Sequence, residues 1–406
     1  MDITIRPVGD EEFERHVIAL ESAFGEYPSA EDIQLERTVF ELGRSLAAFD
    51  GDRIVGGAGA YSMRVTVPGA TVPMAGVTGV GVTPTHRRRG ILTALMRRQL
   101  DDLHEGGEAV AGLWASEGSI YWRFGYGPAA YGTTMDLDGR WTRFAHPLED
   151  EGSIELLTRA DAMRVMSAVY ERVRPLRPGM LERSPEWWEY RFDDSERRRG
   201  GASELFFAVR SDGRGEPDAY AAYRVEHRWQ VGAASILKVA EVVSANPRAH
   251  AGIWRFLLDI DLIGSVNGWN FPVDDPLRFL LSDPQRLDAR LRETLWLRLV
   301  DVANSLASRA YSVQDALTIQ VFDDFCPWNE GVYRLEAGPE GASCTPTHAA
   351  PDLVTGANEL AAAFLGGNRL STLAAAGRVS EETDGALRRA DALFAADAVP
   401  WCSNVF

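Results

Sequence analysis

A turn rich in arginine stands between an apolar run and a helical pattern. It reads Val80-Gly81-Val82-Thr83-Pro84-Thr85-His86-Arg87-Arg88-Arg89-Gly90-Ile91-Leu92-Thr93, and the stretch His86–Arg98 holds five arginines and no acidic residue. A helix N-terminus offers unpaired N–H groups and a partial positive charge, and a glycine lets the backbone approach a ligand closely. These features predict a cradle for a pyrophosphate. The alternative interpretation is a solvated, arginine-rich helix start.

The elements that position this turn follow an alternating strand and helix pattern. Ser45–Phe49 and Ile54–Val67 predict two strands joined by a short Asp-Gly-Asp turn. Val77–Val82 predicts a strand that ends at the arginine turn, and Ile91–Leu103 predicts an amphipathic helix after it. Ala109–Ala115 predicts a further buried strand. The first 140 or so residues therefore predict an α/β domain with the cradle at a strand-to-helix junction.

The arginine turn resembles the coenzyme A-binding motif of the Gcn5-related N-acetyltransferases (GNAT), V-x-V-x-P-x-x-R-x-x-G-x-(G/A). Leu92 replaces the last small residue of the motif. The resemblance implies acetyl-coenzyme A as co-substrate and no metal. Main-chain groups at the end of the strand would meet the pantetheine arm, and the turn would wrap the pyrophosphate. The cofactor-binding residues expected in this motif are Val80, Gly81, Val82, Arg87, Arg88, Arg89, Gly90, Ile91, Leu92 and Thr93.

A second string of the same family follows in residues 115–126. The segment Tyr121-Trp122-Arg123-Phe124-Gly125-Tyr126 resembles the family's Y-x-R-F-G-(F/Y) string, whose tyrosine protonates the departing thiolate. A phenol near a leaving thiolate can donate a hydrogen bond as charge develops. Tyr121 matches the catalytic tyrosine, with aromatic packing as the alternative, whereas Tyr126 is expected to pack. Ser116 and Glu117 are expected to contact the pantetheine or the adenine-side phosphate.

Residues from about 150 to 290 repeat the order of hairpin, strand, proline-containing turn and helix. Ala245-Asn246-Pro247 echoes Val82-Thr83-Pro84 about 160 residues later, and Ile253–Leu262 predicts the following helix. This favours a weak internal duplication, with convergent α/β patterning as the alternative. The triple arginine is absent from the second copy, so a phosphate cradle is not expected there.

The pattern changes again from about Arg292 onward. Trp296–Ser308 predicts a helix, Leu317–Val321 and Gly331–Leu335 predict antiparallel strands, and Asn358–Leu365 and Arg388–Phe394 predict small-residue helices. This is typical of a third, α+β domain.

The whole architecture resembles the enhanced intracellular survival (Eis) acetyltransferases. The predicted domains are a catalytic GNAT domain over residues 1–148, a degenerate second GNAT domain over 149–291 and a sterol-carrier-like domain over 292–406. Leu317–Val321 and Glu359–Gly367 are the closest matches to sterol-carrier proteins. The resemblance also implies a homohexamer.

The end of the sequence is apolar. Chain ends are normally polar and frayed, whereas Trp401, Val405 and Phe406 are costly to leave in water. In the Eis family the terminal carboxylate enters the active site as the base, so the carboxylate of Phe406 would serve that role here. A tail that docks only for stability is the alternative. Phe24 and Glu26 are weaker candidates for contact with the incoming amine.

Composition limits the partners of this chain. The formal net charge of −17 argues against nucleic acid, although it could attract cationic molecules. Three cysteines without paired spacing and scattered histidines predict neither disulfides nor a metal site. The N-terminal Met1–Arg6 alternates polar and apolar residues without a signal segment, and no apolar stretch is long enough to span a membrane. A cytoplasmic location is expected.

The predicted reaction is transfer of acetyl from acetyl-coenzyme A to a primary amine by direct attack. A covalent intermediate is not expected, because the sequence has no Cys or Ser with an adjacent His that would serve as the nucleophile. By resemblance, the acceptor would be a cationic molecule such as an aminoglycoside, or a protein lysine. A non-catalytic acyl-coenzyme A or lipid sensor is the alternative from another class, and transfer of longer acyl chains is a third interpretation.

Overall fold

The computed structural model describes residues 3–229 and 232–406, so Met1 and Asp2 of the alternating N-terminal segment lie outside the described residues. The strands are β1 (Ile3–Pro7), β2 (Leu46–Asp50), β3 (Arg53–Val67), β4 (Ala70–Val82), β5 (Val110–Trp114), β6 (Gly127–Pro128), β7 (Tyr131–Asp138), β8 (Ser153–Leu157), β9 (Phe206–Ser211), β10 (Pro217–Glu226), β11 (Ser235–Ser244), β12 (Ile263–Pro272), β13 (Leu287–Glu293), β14 (Leu295–Leu299), β15 (Asp315–Phe322), β16 (Gly331–Gly338), β17 (Gly341–Pro346), β18 (Leu353–Gly356) and β19 (Val379–Glu381). The helices are α1 (Phe13–Phe24), α2 (Ala30–Val39), α3 (Ile91–Glu105), α4 (Gly118–Tyr121), α5 (Arg159–Val173), α6 (Pro185–Arg191), α7 (Glu196–Arg199), α8 (Pro247–Leu258), α9 (Leu277–Leu280), α10 (Val302–Ala307), α11 (Ala357–Ala363), α12 (Leu370–Ala375) and α13 (Ala386–Phe394).

The chain forms two compact units, each discontinuous in sequence. Unit 1 comprises Met1–Ala130, Leu295–Asp397 and Asn404–Phe406, and unit 2 comprises Tyr131–Thr294 and Ala398–Ser403. These divisions differ from the predicted domain ends at 148 and 291. The reason is strand pairing: β7 pairs with β12 and β13 in unit 2, while β14 pairs with β5 and β6 in unit 1.

Unit 1 contains two sheets. The first has the strand order β1-β2-β3-β4-β5-β14-β6, and the second has the order β17-β16-β15-β18-β19. The predicted hairpin is present as β2 and β3, and the predicted antiparallel pair in the third domain is present as β15 and β16. Helix α3 buries Ile91, Leu95, Met96 and Leu100 against the first sheet, which fixes its N-terminus beside the end of β4.

The helix predicted over Trp296–Ser308 is wrong in its first half. Residues Leu295–Leu299 form β14, all five of them buried, and α10 begins only at Val302. A strand that is covered on both faces loses the period-two alternation, so its apolar run cannot be distinguished from a buried helix by pattern alone. The Asp301 carboxylate accepts a hydrogen bond from the Asn304 amide at 2.9 Å and sets the true helix start.

Unit 2 has one sheet in the order β13-β7-β12-β11-β10-β9-β8. Helix α8 follows β11, as α3 follows β4, but it spans Pro247–Leu258 instead of the predicted Ile253–Leu262. The Asn246 side chain caps it by accepting from the Ala249 amide at 2.9 Å. A cavity beside this end is lined by four acidic residues and two arginines, so acidic side chains outnumber basic ones there: Asp150, Glu151, Asp212, Asp218, Arg210 and Arg248.

Residues 398–403 are held within unit 2. The Trp401 indole donates to the carbonyl oxygen of Asn270 at 3.0 Å, and the Asn270 amide donates to the carbonyl oxygen of Cys402 at 2.8 Å. The buried Arg183 guanidinium donates to Ser403 Oγ at 3.1 Å while pairing with Glu241. The apolar tail is therefore packed and hydrogen-bonded, contrary to the usual fraying of chain ends.

Arg309, in the sterol-carrier-like part of unit 1, is buried without a carboxylate among its contacts in the residues described. Its guanidinium donates to the carbonyl oxygens of Phe364 and Phe394, at the C-terminal ends of α11 and α13. Helix C-termini carry partial negative charge and unpaired carbonyls, so they take the place of an acidic partner. Burial lowers the pKa of Arg309 to about 10, which leaves it charged at neutral pH.

His16 of α1 is fully buried, and within the described parts of the chain neither ring nitrogen has a hydrogen-bond partner. Burial lowers its pKa from 6.5 to about 4. Protonation below pH 6.5 therefore favours the unfolded chain, and His16 stabilises the fold fully only above that pH. We expect a loss of about 3 kcal/mol in the free energy of unfolding as the pH falls from 6.5 to 4.

The test compares urea unfolding of the wild type and His16→Leu at pH 7.5 and pH 4.5. The variant should lose markedly less stability on acidification, because the other titrating groups are common to both proteins. An equal loss in the two proteins would contradict this assignment.

Candidate active site

The site is built on a place where two parallel strands separate. Strands β4 and β5 pair only at Ala75↔Ala111 and Gly76↔Gly112, whereas β4 continues to Val82 while paired with β3 on its other side. Gly57 of β3 pairs with Gly81 of β4, and Gly59 pairs with Thr78. Two steps along β3 therefore match three steps along β4, so β4 carries one extra residue. This bulge bends β4 away from β5 and leaves a wedge between them.

The arginine turn closes the wedge at one end. Arg88 and Gly90 both adopt positive φ, 62° and 80°, and Gly90 caps α3 without a side chain. The first intrahelical bond runs from the Ala94 amide to the Gly90 carbonyl at 3.0 Å. The amides of residues 91–93 therefore have no acceptor within the helix, which makes this end receptive to an anion.

A cavity of about 600 Å³ joins these elements. The predicted site residues that line it are Phe24, Val80, Gly81, Val82, Arg87, Arg88, Gly90, Ile91, Leu92, Thr93, Ser116, Glu117 and Tyr121. Three predicted residues are not among its lining residues: Arg89, Glu26 and Phe406. Four further lining residues were not predicted from the sequence: Ala23, His86, Ile120 and Arg123.

Arg87 and His86 of the turn have structural partners. Arg87 donates to the carbonyl oxygens of Ala23 at 2.6 Å and Val82 at 3.3 Å, which ties the end of α1 to the end of β4. His86 is buried between Asp50, at 3.2 Å from Nε2, and Thr85, at 2.8 Å from Nδ1. Arg88 is exposed and lines the cavity, so it is the side chain of the triplet best placed to meet a phosphate.

Tyr121 presents a protonated phenol to the cavity. It is 6 % exposed, and burial raises its pKa to about 12. Tyr126 lies behind it, with the ring centroids 6.0 Å apart, and it is completely buried. Burial raises the pKa of Tyr126 further, and within residues 3–229 and 232–406 its hydroxyl has no hydrogen-bond partner. Only Tyr121 of the pair can reach a bound molecule.

The last three residues lie within unit 1 against the separating strands. The Trp114 indole donates to the carbonyl oxygen of Asn404 at 2.8 Å. The Phe406 ring lies over Gly76, where a β-carbon would come within 3.3 Å of its Cδ2. Gly76 belongs to the last pair of β4 and β5, so the Phe406 ring sits where the wedge opens.

The described residues offer neither a membrane-crossing helix nor a metal cluster. Within residues 3–229 and 232–406 every helix is too short or too polar to cross a bilayer. Over the same residues no group of three or more His, Cys, Asp or Glu side chains is arranged to hold a metal ion.

Comparisons with known families and proteins agree with this geometry. Residues 4–129 match an acetyltransferase (GNAT) domain, residues 179–299 match a second acetyltransferase (GNAT) domain, and residues 302–403 match a sterol carrier protein domain. An uncharacterized N-acetyltransferase of Streptomyces avermitilis is 44% identical over 388 residues, 95% of each chain. The N-acetyltransferase Eis of Mycobacterium tuberculosis is 32% identical over 409 residues, 98% of each chain.

The fold extends this similarity to a solved structure. The crystal structure of Eis1 from Mycobacterium abscessus superposes with a TM-score of 0.86 over 100% of both chains at 34% identity. Two GNAT domains followed by a sterol carrier protein domain define an acetyl-coenzyme A-dependent N-acetyltransferase, and the predicted fold class is confirmed. The chain belongs to the Eis family of these enzymes.

Arg88→Ala should weaken acetyl-coenzyme A binding by about 10- to 100-fold, because a charge-assisted hydrogen bond contributes roughly 1.5–3 kcal/mol. Arg98→Ala is the matched control: Arg98 lies on α3, the helix that follows the turn holding Arg88, is exposed and pairs with Asp102 at 2.7 Å. Calorimetric titration with acetyl-coenzyme A checks the difference. Equal affinities for the wild type and Arg88→Ala would contradict a phosphate contact by this side chain.

Proposed function

We propose that this enzyme acetylates primary amines of cationic molecules, either aminoglycoside-like compounds or protein lysines. The observation that carries the proposal is the cavity that brings a protonated tyrosine, an anion-receptive helix end and the exposed aromatic Phe24 together. The amine nitrogen would attack the thioester carbon, the carbon–sulfur bond would break, and the products would be an amide and coenzyme A.

Tyr121 is proposed as the group that meets the departing thiolate. With a pKa of about 12 the phenol stays protonated across the physiological range. A thiol is more acidic than this phenol, since its ordinary pKa is about 8.5. Tyr121 would therefore act chiefly by donating a hydrogen bond as negative charge develops on sulfur. The buried setting strengthens that bond relative to water.

The α-carboxylate of Phe406 is proposed as the base. Its ordinary pKa, near roughly 3.5, is too low to deprotonate a free ammonium. The N–H groups become much more acidic once nitrogen has bonded to the carbonyl carbon, and a carboxylate can then accept the proton directly or through a water. The position of the Phe406 ring over Gly76, where β4 and β5 begin to separate, supports this role.

Charge near the cavity supports a cationic acceptor. Between Glu21 and Glu36 the chain holds five acidic residues and no basic one, and this stretch includes Phe24 at the cavity and the exposed Glu26. Such a one-signed surface raises the local concentration of cations. Phe24 is 53 % exposed and offers an apolar face to the carbon skeleton of an acceptor. The hexameric assembly is a prediction from the family resemblance, and the cytoplasmic location is a prediction from the sequence pattern.

The acceptor class is tested by measuring coenzyme A release with a panel of amines. Aminoglycosides, polyamines and lysine peptides should be acetylated, with rates that fall as salt screens the acidic surface. Neutral and anionic primary amines of similar size are the controls. Equal kcat/KM for neutral and cationic amines would contradict the cationic preference.

Tyr121→Phe should lower kcat by about 10²- to 10⁴-fold and leave acetyl-coenzyme A affinity nearly unchanged, because the hydroxyl matters when the thiolate leaves. Tyr126→Phe is the control: it removes a hydroxyl that has no partner among the described residues and should be nearly silent. Steady-state kinetics and calorimetry on both variants check this. The reverse order of effects would move the role to Tyr126.

A short Gly/Ser extension after Phe406, or amidation of its carboxylate, should strongly reduce kcat and leave acetyl-coenzyme A binding intact. Either change removes the free α-carboxylate that is proposed to accept the proton of the amine. Turnover is compared with that of the unmodified chain, and circular dichroism confirms the fold. Wild-type turnover in the extended chain would place the base elsewhere.

A further inference from the structure

We propose that Trp114 is a positioning residue for the reaction, which holds the end of the chain so that the carboxylate of Phe406 lies at the wedge. The proposal rests on the proposed role of that carboxylate as the base. Trp114 would contact neither acetyl-coenzyme A nor the amine. Its action would pass entirely through the hydrogen bond from the indole to the carbonyl of Asn404.

Trp114 is itself firmly placed. It is the last residue of β5, the strand that leaves β4 at the wedge, and it pairs with Leu295 of β14 on the opposite side. Its indole N–H donates to the Asn404 carbonyl oxygen at 2.8 Å, an unstrained hydrogen-bond length. A donor carried by a paired strand can define the position of the carbonyl that it meets.

The tail has contacts on both sides of Val405, and the Trp114 bond is one of them. Asn404 is 1 % exposed, whereas Val405 is 44 % exposed and contributes little packing. Beyond Val405, the Phe406 ring lies on Gly76 beside Met63 Sδ and Cγ, which border the same site. The Trp114 bond fixes the backbone two residues before the carboxylate, and the ring contact fixes the terminal side chain.

Trp114 is also separate from the residues that would bind the co-substrate. The cavity lining includes Ser116 and Glu117 but not Trp114. Loss of the indole N–H should therefore alter catalysis without altering acetyl-coenzyme A affinity. A simple packing role predicts the opposite pattern, a loss of stability with unchanged kcat.

The test is Trp114→Phe, and in parallel the replacement of Trp114 by β-(3-benzothienyl)alanine, which keeps the bicyclic shape and removes only the N–H. Misplacement of a catalytic group by about 1 Å can cost 10²-fold in rate, so we expect kcat to fall by about 10- to 100-fold. The KM for acetyl-coenzyme A should stay within about twofold. The benzothienyl variant keeps the test valid if Phe disturbs the packing.

Trp328→Phe is the matched control. The Trp328 indole donates to the Val300 carbonyl oxygen at 2.7 Å, so this variant loses the same type of bond within unit 1, and Trp328 does not line the cavity. Its kcat should equal that of the wild type, and its melting temperature should change about as much as that of Trp114→Phe.

The same Trp114 replacements are then made in the chain extended after Phe406. If Trp114 acts through the tail, they should lower the residual rate no further, because coupled residues are not additive. Wild-type kcat in the Trp114 variants would overturn the inference. So would a Trp114 replacement that lowers kcat by the same factor in the extended and in the unextended chain. Full activity of the extended chain with intact Trp114 would instead reject the carboxylate as the base, which distinguishes the two failures.

Discussion

The separation of β4 from β5 after a single pair of glycines is the constraint on which the rest of unit 1 depends. At Gly76 a β-carbon would come within 2.6 Å of Met63 Sδ, and at Gly112 one would come within 2.7 Å of Met74 Sδ. The two glycines therefore leave room for the methionine side chains at this pair, and the pairing of β4 with β5 ends immediately beyond it. A sheet that continued its pairing would satisfy every main-chain group and leave no room for a ligand. The interruption of hydrogen bonding between β4 and β5 therefore provides the space for a ligand.

The two helices that follow equivalent strands differ in the groups around their N-termini. The start of α3 has a glycine cap and arginines around it. The start of α8 is capped by the Asn246 side chain, and the cavity beside it includes Asp150 and Asp218, both paired with Arg210. The helix dipole is common to both. The two helix ends therefore differ in their capping group and in the charges of the neighbouring side chains.

Local patterns predicted most of the candidate site. The motif from Val80 to Thr93 specifies its own strand end, turn and helix start, so its predicted site residues, Arg89 excepted, meet in one cavity. The positions that escaped prediction depend on contacts distant in sequence. His86 looks like one more basic residue until its buried contact with Asp50 is seen, and nothing near Trp114 in the sequence indicates a bond to Asn404. The division into two units was not predicted either, because β14 is buried on both faces and its partner β5 lies nearly 200 residues earlier in the sequence.

That late strand has a consequence for the synthesis of the protein. The first sheet includes Leu295–Leu299 between β5 and β6, so a nascent chain cannot complete it until the Tyr131–Thr294 segment of unit 2 has left the ribosome. Until then the edge of β5 would present unpaired N–H and C=O groups on an apolar strand, a template for aggregation. Unit 2 from Tyr131 to Thr294 is contiguous except for its final six residues. The last residues to be synthesised, Asn404–Phe406, belong to unit 1, so this unit would be completed last.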